Sequence, residues 1–142
     1  MNLRHRSSVV LTLLFLVLAV HFVYAHHSFS GAFDITRRAT LTGTISKIDW
    51  VNPHVYIYLD VKDDTGKVTT WALESLPTNH LRTAGITRND FWNKASEGEV
   101  VTVHIYESKD VTNHRAGWLV RITYTDGHFF HLSGDPNEIA SK

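Results

Sequence analysis

His54-Val55-Tyr56-Ile57-Tyr58-Leu59-Asp60-Val61 alternates strictly between apolar and polar side chains. Val55, Ile57, Leu59 and Val61 fall on one face of an extended chain, and His54, Tyr56, Tyr58 and Asp60 on the other. That is the pattern of a half-buried β-strand, and its surroundings extend the reading. Downstream, Asp63-Asp64-Thr65-Gly66 is a hairpin signal, and Val68 to Glu74 returns as the partner strand. Upstream, Asn52-Pro53 marks a turn. Before it, Thr40 to Trp50 carries Leu41, Gly43 and Ile45 at one parity, then Ile48 and Trp50 at the other. A parity switch in mid-strand predicts a bulge near Ser46-Lys47, of the kind that curves strands in closing barrels.

The same reading continues towards the C-terminus. Thr78 to Ala84, after Pro77, reads as one or two helical turns stopped by Gly85. Asn89 to Glu97 is polar apart from Phe91 and Trp92 and is taken as loop with at most a short helical turn. Glu99 to Tyr106 is a fourth strand with Val101, Val103 and Ile105 inward. Gly117 to Tyr124 is a fifth, with Trp118, Val120, Ile122 and Tyr124 on one face. After the Asp126-Gly127 turn, His128 to Leu132 adds a short sixth strand. Three meandering strands, one short helix and two or three further strands match the five- to six-stranded Greek-key barrel of the OB-fold. A small sandwich or another partly open barrel is the competing architecture.

The N-terminus is of a different kind. Arg4, His5 and Arg6 precede an apolar run from Val9 to Val20, and Val23-Tyr24-Ala25 suits a signal peptidase. An apolar stretch of about 12 residues is short against the roughly 20 that span a bilayer. The expectation is therefore a cleaved signal peptide (1–25), export to the periplasm, and membrane contact only through that leader. An extended arm (26–39), the barrel domain (40–133) and a flexible tail (134–142) follow. With no cysteine in the chain, disulfides, iron–sulfur clusters, thiolate chemistry and a lipid anchor are excluded. Lys plus Arg and Asp plus Glu number 14 each, and no basic cluster stands out along the chain, which argues against nucleic acid as a partner.

Chemistry rests on histidine. Of ten histidines only His5 and His21 fall in the leader. Cleavage after Ala25 would leave His26 with a free α-amine beside its imidazole, and those two donors chelate one copper ion. The arrangement resembles the histidine brace of exported copper proteins. His27 is its neighbour, and His54, fixed on a polar strand face just after the Asn52-Pro53 turn, is the third candidate ligand. A solvated arm histidine and a surface imidazole beside Trp50 or Tyr56 are the ordinary alternatives. His104 is read as solvated, while His128 and His131 lack the spacing that shares a strand face. A second constellation, Trp50, Tyr56, Tyr58, Asp60 and Glu74, occupies the strand 2–3 region with which OB-folds bind ligands. Asp63 and Asp64 read as turn residues. Hydrolase, metalloprotease, Walker and dinucleotide motifs are missing, and nothing else speaks for an enzyme such as a copper oxidase.

Ala25-His26-His27-Ser28-Phe29, Phe33-Asp34, Leu41-Thr42-Gly43-Thr44-Ile45, Asp49-Trp50-Val51-Asn52-Pro53-His54-Val55, Trp71-Ala72-Leu73-Glu74 and Gly117-Trp118-Leu119 together resemble a family of short exported bacterial proteins whose domain has no known function. The resemblance covers nearly all of the mature chain, with Trp-Val-Asn-Pro-His its most specific part, and implies a bacterial source and periplasmic residence. Ser75-Leu76-Pro77 departs from the Gly-bearing link that the family would place there. Two functions from different classes follow as expectations. One is a periplasmic protein binding copper or another divalent metal. The other is a metal-free module that takes a small ligand, peptide, glycan or partner protein on its aromatic face.

Overall fold

A computed structural model of the chain describes residues 29–110, 112, 115–132 and 140–141. The expected signal peptide, His26, His27 and most of the expected tail lie outside the described residues. Ala32–Lys142 form one compact unit. In chain order the elements are α1 (Phe29–Ala32), β1 (Phe33–Asp49), β2 (Tyr56–Lys62), β3 (Val68–Glu74), α2 (Thr78–Thr83), α3 (Arg88–Ser96), β4 (Val100–Ser108), β5 (Ala116–Thr123), β6 (Phe129–His131) and β7 (Ala140–Ser141). One sheet runs in the order β3-β2-β1-β4-β5-β6-β7. A further parallel pairing of β3 with β5, through Ala72–Ala116, Leu73–Gly117 and Glu74–Trp118, closes the first five strands into a barrel. All other pairings are antiparallel. The fold is mostly β, a small OB-like Greek-key barrel.

Alternation in β2 holds: Val55, Ile57 and Leu59 are fully buried and point into the barrel with Leu73, Val103 and Leu119. The β1–β2 register slips between Ile45 and Lys47, at the site of the parity switch. Gly43, in the same strand, is a packing requirement, because a Cβ there would collide with the carbonyl oxygen of Asp60 on β2. The Asp63 turn is built by its own side chain. Oδ1 accepts from the Thr65 hydroxyl at 2.6 Å, the Thr65 amide at 2.9 Å and the Lys67 amide at 3.0 Å. Those donors, the Thr65 hydroxyl foremost, hold the Asp63 carboxyl below its ordinary range.

Four expectations need correction. β1 starts at Phe33, within the stretch read as an extended arm, and α1 precedes it. His54 lies two residues ahead of β2 rather than in it. Two helices, not one, separate β3 from β4, because 88–96 is helical rather than loop. The reason is a capping box: the Asp90 carboxylate accepts from both the amide and the hydroxyl of Thr87 at 2.6 Å. Ile86 before the cap and Phe91 in the first turn occupy the staple positions, and both are buried. The fourth correction concerns β5. Its register with β4 shifts between His104 and Ile105, so that Ile105 faces Leu119 while His104 faces Arg121. Val120 is the extra residue, and Trp118 consequently falls on the opposite face from Ile122.

Candidate functional site

Paired residues of neighbouring strands share a face. Tyr56 lies opposite Glu74, Glu74 opposite Trp118, Trp118 opposite Tyr106, and Tyr106 opposite Arg38. This row runs around the outside of the barrel. Trp118 is nevertheless buried, because Phe33 packs on it at 5.6 Å between ring centroids and His54 meets it edge-on at 5.7 Å.

His54 is held at one end of the row. Its Nδ1 lies 2.9 Å from the carbonyl oxygen of Ser75 and 3.3 Å from Oε1 of Glu74. A carbonyl only accepts, so Nδ1 carries the proton and donates, which leaves the lone pair of the neutral ring on Nε2. The other Glu74 oxygen, Oε2, accepts from the Tyr56 hydroxyl at 2.8 Å. Burial first, and then this bond to Glu74, push the Tyr56 phenol up to about 12. Ser75 is fixed in turn: its amide donates to the Val55 carbonyl at 2.8 Å, and the Val55 amide donates to Leu76. The segment that departs from the family pattern is thus a buried brace behind the histidine. The His54 side chain itself is one-third exposed.

The remaining candidates disperse. Tyr58 has the Lys47 ammonium over its ring at 4.8 Å, while Lys47 pairs with Asp49 at 2.7 Å; burial first, and then the nearby Asp49 carboxylate, raise the Tyr58 phenol above its ordinary range. Asp60 accepts from Thr70 at 2.6 Å and Ser46 at 3.0 Å, tying three strands together. Trp50 packs towards Phe91 of α3 at 6.2 Å. So His54, Tyr56 and Glu74 come together, whereas Tyr58, Asp60 and Trp50 each belong to other contacts. Sequence reasoning missed the Ser75 carbonyl, which bonding between Ser75 and Val55 sets beside His54, and the Trp118 ring, which the β3–β5 pairing brings there. Among the described residues, no three His, Asp or Glu side chains gather as a metal-ligand set. His54 with Glu74 behind it presents a single oriented imidazole.

No curated protein and no solved structure matches the chain. Residues 15–118 match the profile of a family of unknown function, from inside the apolar run of residues 9–20 to the Trp118 of the outer row. The match covers well over half of the sequence and includes the Trp-Val-Asn-Pro-His stretch and Glu74, so the chain belongs to the family of unknown function DUF6152.

Proposed function

We propose that this is an exported periplasmic protein that binds a divalent metal, copper first, between its mature N-terminus and His54. His26 would supply its α-amine and a ring nitrogen, Nε2 of His54 the third nitrogen, and His27 an auxiliary donor. The observation that carries the reading is the fixed Nδ1 of His54. Metal-ligating histidines characteristically donate their second ring N–H to a backbone carbonyl or carboxylate, and His54 has both within reach. Glu74 therefore serves as the group that orients the ring rather than as a ligand. Chain length supports the same reading. Seven Cα–Cα steps lead from His26 to Phe33, and such a segment spans at most about 25 Å. Phe33 and His54 pack on the same indole. With no thiolate available, nitrogen and oxygen donors are all the chain offers, which suits copper(II).

Calorimetry with copper(II) on protein beginning at His26 tests this. Affinity should fall at least tenfold when one residue is added before His26, and again in His54→Ala, on the scale of roughly 1.4 kcal/mol per decade. Equal affinity in all three proteins would contradict it. The metal-free alternative has less behind it, since the Tyr56 hydroxyl is already committed to Glu74 and the Tyr58 ring is covered by the Lys47 ammonium.

A further inference from the structure

A second site lies on the same outer surface, beyond the other end of the row. A groove of about 530 Å³ opens across β1, β4, β5 and β6, and Arg38, His104, Arg121 and His131 line it. Register explains the gathering. Thr40 faces His104, His104 faces Arg121, and Arg121 faces His131, so four strands contribute one continuous line. Arg38 stands two positions before Thr40 on β1, on the same face.

Both guanidiniums lie over aromatic rings. Arg121 is 3.9 Å from the centroid of Phe129, and Arg38 is 5.3 Å from that of Tyr106. Nε of Arg38 also donates to the Ile35 carbonyl at 3.4 Å. A cation over a ring keeps its outer N–H groups for other acceptors, an oxyanion among them. Neither arginine is neutralised. Among the described residues neither Arg38 nor Arg121 takes part in an ion pair. Nε of Arg121 is buried and, among the described residues, has no hydrogen-bond partner. With almost no accessible surface, Nε is closed to a ligand, which leaves the two terminal nitrogens of the guanidinium as the available donors. His104, whose Nδ1 is 3.1 Å from the Thr40 hydroxyl, adds a ring already oriented by its neighbour.

From this geometry we infer that the groove binds a small, soluble organic phosphate, with Arg121 and Arg38 clamping the phosphate. Two uncompensated positive charges match a dianion better than a monocarboxylate, and arginine meets phosphate oxygens in pairs. The volume lies within the range of small-molecule sites and exceeds what inorganic phosphate alone would fill. The site shares no residue with the proposed metal centre and does not depend on it.

Titrating the full processed protein with glycerol 3-phosphate in EDTA tests the inference without involving metal. Glycerol serves as the neutral probe, and vesicles of phosphatidylglycerol as the membrane probe. Saturable binding of glycerol 3-phosphate, none of glycerol, and at least tenfold weaker binding in Arg121→Gln are expected. Because Arg121 is partly buried, the exposed Arg38→Gln and the added negative charge of His104→Glu, each checked by circular dichroism, carry the same expectation. Absence of glycerol 3-phosphate binding at millimolar concentration, unchanged affinity in folded variants, or pelleting with the vesicles without binding of the soluble ester would each overturn it.

Discussion

Glu74 uses its two oxygens for two different neighbours, accepting the Tyr56 hydroxyl on one and facing the Nδ1 side of His54 with the other. That division carries two predictions at the scale of single residues. Removing the negative charge in Glu74→Gln leaves the ring braced only by Ser75, and outer-sphere losses of this kind lower metal affinity by about 10- to 100-fold. Copper calorimetry on the variant should show that loss, and His54→Ala should remove the effect of Glu74→Gln. Together with Tyr124 and Tyr58, whose phenols burial also raises, Tyr56 contributes to the alkaline limb of stability. Its phenol titrates near 10.0 when unfolded and at about 12 in the folded chain, so between those values the folded state keeps a proton that the unfolded state has released. Stability from this group is complete below pH 10 and is lost as the pH rises towards 12. Urea midpoints of Tyr56→Phe should therefore decline less steeply across that window than those of the parent; identical slopes would contradict the assignment. His54 was legible in the sequence from its place after the Asn52-Pro53 turn. The Ser75 carbonyl was not, because a backbone acceptor leaves no mark in residue identity.

Among the elements, two bulges and one helix show what local pattern does and does not encode. The bulge in β1 could be read because apolar parity changes at Ser46-Lys47. The bulge in β5 could not, since Trp118, Val120, Ile122 and Tyr124 keep a regular alternation while the register slips beneath them. α3 was legible in principle from Thr87-x-x-Asp90, the residues of its capping box, but its low apolar content hid the helix. Phe91 is the one large apolar side chain that α3 buries fully, and it meets Trp50 and Phe130. Phe91→Ala should cost about 3–5 kcal/mol, measurable by chemical denaturation, through lost burial and the cavity left behind. At the β1–β2 crossing, Gly43→Ala should destabilise by about 1–3 kcal/mol, since a Cβ there forces the Asp60 backbone away. Wild-type stability in either variant would count against the packing described.

For the molecule as a whole, closure of the barrel is what converts scattered residues into sites. The parallel pairing of β3 with β5 sets Glu74 beside Trp118, and Phe33 on β1 packs onto the same indole. Antiparallel pairing on the other side of β5 brings Arg121 to His104 and into the groove that Arg38 shares. The succession of strands and the β2–β3 hairpin were legible because turn residues mark them. The juxtapositions were not, because they join residues far apart in sequence and depend on register. Membership of DUF6152 fixes the extent of the family match without bringing an activity, so the function must be argued from these sites.

Electron paramagnetic resonance of the processed protein with one equivalent of copper(II) tests the metal reading most directly. A spectrum with coupling from three nitrogens, reduced by one nitrogen in His54→Ala and altered again when a residue precedes His26, is the result predicted. Identical spectra in the parent and His54→Ala would contradict the proposed centre.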